Sequence, residues 1–302
     1  MKISSSLRTK LAVGAALAAL SAISLSGTPT EALTVQLSDH SAEAQKRAEM
    51  EQLIAKVNGL SWQGAGGQGN LAQEATIKID PGLKFLPPPD SSTFLQLQKN
   101  PPQDNIYILS RTDYQWFAAF SFDPTGYVKD DEKIDPAALL AQLKEQNAKA
   151  IEERKRLNLP ILTLEGWYVQ PHYDRETKRL EWGTTLLDED GRRQVNYTVR
   201  ILGRQGVMSA MLISSPETFD RDLIAFRNSL KSFSYDSGQS YAEFKQGDKV
   251  AAYGLGALVV GGAAAVALKS GAGFLKVIWV AIAGAGAAVA GFFRRIFGRK
   301  KT

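Results

Sequence analysis

The sequence predicts an α+β fold, an antiparallel sheet carrying packed helices, and three observations lead there. Short β-branched and aromatic runs come in groups bounded by turn residues. Helix-period segments fall between those groups rather than after every strand. The spacers "HYDRETK", "DEDGR" and "RQG" between the later runs are short enough to imply an antiparallel meander.

Taken in order, Lys2, Arg8 and Lys10 precede an apolar run over residues 11–25 and then the polar "SGTPTEA". A charged start, an apolar stretch and a small-residue end make residues 1–32 a secretory signal peptide, with cleavage expected after Ala32. The alternative is an uncleaved N-terminal anchor; both export the chain beyond residue 32, because the leading positive charges stay in the cytoplasm. Residues 33–59 form an N-terminal helical segment, since "SAEAQKRAEMEQLIAKV" is built of helix formers and "GLSWQGAGGQG" stops it.

An exported α+β domain is expected over 60–247. "EATIKI", "IYILS" and "QWFAAFSF" read as strands between the breakers "PG", "PPPD" and "NPP". The next segment changes period: Asp135 is an N-cap, Pro136 the first helical residue, and Leu139, Leu140, Leu143 and Ile151 an apolar stripe, with the helix ending before Pro160. "LTLEGWYVQP", "RLEWGTTLL", "RQVNYTVRILG" and "VMSAMLISS" supply the meander. A last helix begins near Ser215 and Pro216 and repeats Phe219, Leu223, Phe226 and Leu230 on one face.

Beyond the domain, charge-free runs at 250–268 and 277–293 form a membrane anchor of one or two helices over 250–293, with a basic tail at 294–302. A single span at 277–293 leaves Arg294, Arg295, Arg299, Lys300 and Lys301 in the cytoplasm, as the positive-inside rule prefers; a hairpin is the alternative. Gly254, Gly256, Gly261 and Gly262 are candidates for close helix packing in lipid.

Charge locates the basic residues. The chain carries a formal +5, yet residues 33–247 hold 25 Lys and Arg against 29 Asp and Glu. The folded middle is mildly acidic, which argues against nucleic acid as a partner. With no cysteine, disulfides and thiolate chemistry are excluded.

Four strings, "GYVKDDEKIDPAALL", "GWYVQPHYDRETKRLEWG", "VNYTVRILGRQGVMS" and "YAEFKQGDKVAAYGLGALVVGG", resemble the bacterial membrane-anchored family called domain of unknown function 2167. That resemblance implies an exported domain ahead of a C-terminal anchor and implies no reaction. The final strands and helix are also similar in arrangement to the PsbP-like α/β/α sandwich.

Candidate chemistry is sparse. Asp123, Asp130, Asp131, Glu132 and Asp135 could supply oxygen ligands to a calcium-like ion, but they lack EF-hand spacing and also fit a solvated turn leading into a helix cap. Asp130 with Glu165 or Glu181 could form a carboxylate pair for glycoside hydrolysis. His172 and Asp174 are the acid–base candidates of the hairpin, without a "GxSxG" nucleophile elbow; His40 lies beside the processing site. "GAGGQG" lacks the Lys-Ser/Thr ending of a phosphate loop. Trp62, Trp116, Trp167 and Trp182 suit core packing, the last two as a pair flanking the hairpin. Arg175, Lys178, Arg179, Arg192, Arg193, Arg200 and Arg204 suit salt-bridged strand faces, with an anionic lipid or envelope polymer as the other reading. No cofactor or metal is expected.

The resulting expectation is a non-enzymatic binding or assembly module, anchored in the bacterial inner membrane, facing the periplasm, and partnered by an envelope protein or a second copy. An envelope hydrolase using acids near Asp131 or Asp174 is the alternative. A transport or channel accessory is the third.

Overall fold

The computed structural model describes residues 44, 45 and 47–261. The signal peptide, the 277–293 run, Gly262 and the basic tail lie outside them. Contacts divide the chain after Glu49. In the first unit the described residues are helical, and Gln45 Nε2 donates to Glu49 Oε1 (3.2 Å) one turn on. In the second unit helix α1 occupies 50–58.

A seven-stranded antiparallel sheet organises the second unit, in the order β3-β4-β5-β9-β8-β7-β6. Its strands are β3 (Leu83–Leu86), β4 (Tyr107–Arg111), β5 (Phe117–Asp123), β6 (Leu162–Asp174), β7 (Arg179–Asp188), β8 (Arg193–Leu202) and β9 (Val207–Ser214). β1 (Gln68–Leu71), β2 (Ala75–Lys78) and β10 (Ser234–Tyr235) form a second, three-stranded sheet. The helices are α2 (Asp90–Leu97), α3 (Pro136–Arg156), α4 (Phe219–Leu230) and the short α5 (Leu255–Val259). The expected α+β class therefore holds for the described residues.

Side chains alternate across a strand, so each strand of the large sheet feeds two cores. On one face Ala118, Phe120, Tyr197, Val199, Ala210 and Leu212 pack against α4 and the small sheet through Phe226, Leu230, Ala75 and Ile77. The other face holds two clusters. Leu164, Leu180, Trp182 and Leu186 meet α3 and α5 through Leu139, Leu143, Leu255 and Leu258. Ile108, Phe117, Ala119 and Ile213 meet α1 and α2 through Val57, Phe94 and Leu95.

Helix α3 begins as its sequence requires: Asp135 Oδ1 accepts from Ala137 N (3.0 Å) and Ala138 N (3.1 Å), and Pro136 occupies the first turn. Its buried Asn147 bridges the edge of β6, donating to Leu162 O (2.9 Å) and accepting from Leu164 N (2.9 Å). Near its end, buried Arg154 donates to Pro160 O and Lys99 O, and burial pushes its guanidinium down to about 10.

Several expectations need correction. α4 starts at Phe219 behind Thr218, not at Ser215, because Asp222 draws Ser214 Oγ (2.7 Å) and Thr218 Oγ1 (2.6 Å) into a buried polar knot ahead of the helix. Trp167 lies opposite Thr184 and Trp182 opposite Thr198, so the two indoles share a core cluster without forming a direct cross-strand pair. β6 runs through His172 to Asp174, which leaves only residues 175–178 for the turn. Most of the expected membrane anchor, 262–293, lies outside the described residues, and among the described residues no helix is long and apolar enough to cross a membrane. Residues 255–260, part of the expected first span, are helix α5 and its end, with Leu255, Leu258, Val259 and Val260 buried in the core.

Candidate functional site

The β6–β7 hairpin carries polar clusters on both faces of the sheet. Consecutive strand residues point to opposite sides, so His172 faces the α4 side and Tyr173 the α3 side. On the α4 side His172 stands opposite Glu181, with Nε2 3.8 Å from Glu181 Oε2. That Glu181 oxygen also accepts from the Tyr197 hydroxyl and from Arg227 Nη2 (2.9 Å), and Arg227 Nη2 reaches Tyr197 Oη at 2.7 Å. Burial pushes the Tyr197 phenol well above its ordinary range, and the neighbouring Glu181 carboxylate pushes it further. Gly183, paired with Tyr197, leaves room for its ring: a Cβ there would lie 3.3 Å from Tyr197 Cδ2. Tyr168 and Phe219 close this shelf edge-to-face, 4.7 Å between ring centres.

Three register shifts in β6 make the His172–Glu181 meeting possible. Leu162 pairs with Asp188 and Leu164 with Leu186; continued without bulges, that register would set Val169 opposite Glu181. The bulges advance the strand until His172 takes that place.

On the α3 side Asp130 Oδ2 accepts from Tyr173 Oη (2.9 Å) and Lys178 Nζ (2.9 Å). Partial burial works to raise the Asp130 carboxyl, but the Lys178 and Tyr173 donors hold it below the usual carboxylate range. Lys178 also sits over the Tyr241 ring (5.1 Å), and Tyr241 stacks on Tyr127 (4.3 Å). Asp174 is occupied at the turn: its Oδ1 accepts from Glu176 N (2.8 Å) and Thr177 N (3.3 Å), and the Thr177 and Glu176 donors lower its pKa.

The structure thus separates the predicted acids. Asp130 and Glu181 lie on opposite faces of the hairpin, and Glu165 forms a two-bond pair with Arg193 (2.7 and 2.8 Å). Asp131 is exposed, and Asp135 caps α3. Among the described residues no group of three or more His, Asp and Glu could hold a metal ion. What the residue pattern could not show was the joining of Glu181 to His172, Tyr197 and Arg227, because bulges and the docking of α4 create it.

Most of the predicted basic stretch is internally satisfied. Lys178 pairs with Asp130, Arg192 with Asp188 and Asp190, Arg193 with Glu165 and Arg204 with Asp248, while Arg179 donates to Leu230 O. Arg200 lies over the Trp182 ring at 6.0 Å. Elsewhere, Lys84 of β3 lies between the rings of Tyr114 (3.5 Å) and Trp62 (4.3 Å), and burial pushes its ammonium down to about 8.

Two of the glycines named as candidates for close helix packing, Gly254 and Gly256, meet Glu132. Glu132 reaches the start of α5, its Oε2 accepting from Gly256 N (2.9 Å), and a Cβ on Gly254 would lie 2.2 Å from that same oxygen. Gly261 has φ +114° and closes the described residues.

Comparison with known proteins adds a family and a distant neighbour. No curated protein matches the chain. The solution structure of the cyanobacterial PsbP protein CyanoP from Synechocystis sp. PCC 6803 aligns at a TM-score of 0.35 and 8% identity, covering 58% of this chain and 92% of that one. The family model described as "Protein of unknown function (DUF2167)" matches residues 64–293, which takes in the hairpin, α3, the whole meander and the α5 segment. The chain belongs to that family.

Proposed function

We propose that this protein is a non-enzymatic binding or assembly module of the bacterial envelope, anchored in the inner membrane by its C-terminal apolar sequence with the main domain in the periplasm. One observation carries the non-enzymatic part: Asp130, Asp174, Glu165 and Glu181 are each engaged by donors that hold the fold together. A general acid or base has to exchange a proton with substrate, and a carboxylate committed to Lys, Arg or backbone donors is poorly placed to do so. The anchor rests on sequence, on the charge-free run at 277–293 and the basic residues after it. The partner is an envelope protein or a second copy of the chain.

The hydrolase reading keeps one specific support, the approach of His172 to Glu181 on a partly open shelf. Both readings meet in one experiment on the full chain. Incubation with purified envelope material should release no soluble fragments, and crosslinking in intact cells from single cysteines on the domain surface should give one discrete, reproducible adduct. Fragment release by the wild type that disappears in His172→Ala and Glu181→Gln, with thermal midpoints unchanged, would establish the hydrolase and remove the binding-module reading.

A further inference from the structure

The segment that leads toward the C-terminal apolar sequence carries exposed apolar side chains and exposed lysines. Tyr127 is clasped by residues 249–251: its N–H donates to Lys249 O (2.8 Å), and its carbonyl accepts from Ala251 N (2.8 Å), giving a parallel bridge to Val250. Phe244 lies on the Tyr127 ring at 4.2 Å between centres. Two apolar side chains therefore flank Tyr127 at the surface, Phe244 at 38% exposure and Val250 at 42%.

Lys245 and Lys249 adjoin them in the chain, and Lys129 and Lys133 follow Tyr127. Lys129, Lys133, Lys245 and Lys249 are all exposed, and none makes an ion pair among the described residues. Among the nearby acids, two are paired with other cations and two accept from neutral donors. Asp248 is held by Arg204 at 2.7 and 2.8 Å, Asp130 by Lys178, Glu132 by Gly256 N, and Glu243 by Ser240 and Gly238. Asp131, Glu132 and Asp135 are the exposed acids of this loop, and of these Glu132 takes the Gly256 N–H and Asp135 caps α3. In the meander, by contrast, Arg192, Arg193 and Arg204 are paired with carboxylates.

An exposed ring and aliphatic group beside exposed lysines that lack ion-pair partners is the chemistry of a surface that rests in a lipid headgroup layer. Anionic headgroups supply the missing counter-charges, and the shallow boundary with the acyl chains receives the Phe and Val side chains. Sequence continuity points the same way: only a short loop and α5 lie between Val250 and the apolar sequence that follows Gly261.

We propose that the Phe244–Val250 surface, with Lys129, Lys133, Lys245 and Lys249, docks the domain on an anionic bilayer. The inference rests on the anchoring reading above and goes beyond it, because a tethered domain need not touch the membrane at all.

The absence of cysteine from the chain makes the test clean. Full-length Phe244→Cys and Val250→Cys, each bearing an environment-sensitive dye, are reconstituted in phosphatidylcholine vesicles with and without phosphatidylglycerol. Ile224→Cys on the exposed face of α4 is the control. Headgroup-nitroxide lipids should quench the dye at 244 and 250 when phosphatidylglycerol is present, and leave it bright at 224. Adding Lys245→Glu with Lys249→Glu should reduce that quenching several-fold, as should high salt. If the chain floats with vesicles but positions 244 and 250 are quenched no more than 224, docking is wrong and the anchor stands. Failure to float with vesicles removes both. Shielding of 244 and 250 from an aqueous quencher without lipid quenching identifies a protein occupant and overturns the proposal, and equal quenching in phosphatidylcholine alone overturns its electrostatic basis.

Discussion

At the scale of single residues, what the structure adds is the partner of each charge. Arg204 and Asp248 show how much one pairing can hold. Arg204 leaves the β8–β9 turn, bonds Gly238 O (3.1 Å) and grips Asp248 with two nitrogens. The Arg204 donors and the Lys245 N–H push the Asp248 carboxyl down to about 2. A carboxyl whose folded-state pKa lies below its unfolded value of about 3.9 contributes stability above that value, and the contribution is lost as pH falls through the folded pKa. Acid titration of the thermal midpoint should therefore show a loss between pH about 4 and pH about 2 that is shallower in Asp248→Asn. Identical acid slopes in wild type and variant would mean that the pair contributes nothing to folding. The same scale marks where sequence reasoning stops. His172 was visible as a candidate, but Glu181 became its neighbour only through three bulges in β6, and a bulge leaves no mark in an alternating pattern. Gly254 and Gly256 read equally well as lipid-packing glycines until Glu132, more than a hundred residues earlier, is placed against them.

Among the elements, those that sequence disclosed are the ones whose local signals agree. α3 has a cap, a proline at its start and an apolar stripe; the meander has alternation and short turns. The elements that sequence did not disclose are short and crowded by breakers. β3 is four residues between Gly82 and a proline run, and α2 starts directly behind that run with Pro89 at its cap position. β1 lies inside a glycine-rich stretch and is held by pairing with β2 rather than by its own composition. Edge strand β6 needs protection from pairing with other chains, and it has Pro171, three bulges and the Asn147 side chain on its backbone. Asn147 is the element-level test. Asn147→Ala leaves Leu162 C=O and Leu164 N–H without that partner in a buried setting, and one lost satisfied pair of this kind costs about 2–3 kcal/mol. Asp135→Ala, at the exposed start of the same helix, should cost about 1 kcal/mol. Urea unfolding with an unchanged m-value checks both, and an Asn147→Ala cost no larger than that of Asp135→Ala would show that the edge of β6 is satisfied in some other way.

For the whole molecule, the placement of residues 250–261 bears on the proposed anchoring. As sequence, 250–268 is charge-free and competes with 277–293 as a span. In the fold, Val250 bridges Tyr127, Leu255 and Leu258 pack with Leu139 and Leu143, and Gln146 Nε2 holds Val260 O at 3.0 Å. Withdrawing Leu255 and Leu258 from that core would forfeit about 1.5–3 kcal/mol for each side chain and would expose their partners as well. Residues used in this way are not available to line a bilayer. What precedes Lys269 is then 262–268, well short of the ~17 residues that reach across the hydrocarbon core. On the proposed anchoring this selects a single span at 277–293, with Arg294, Arg295, Arg299, Lys300 and Lys301 on the cytoplasmic side. A fluorescent protein fused after Thr302 should accordingly fold and fluoresce, while alkaline phosphatase at the same position should stay inactive. An active phosphatase would require a membrane hairpin, and with it the departure of Leu255 and Leu258 from the core in the membrane-inserted protein.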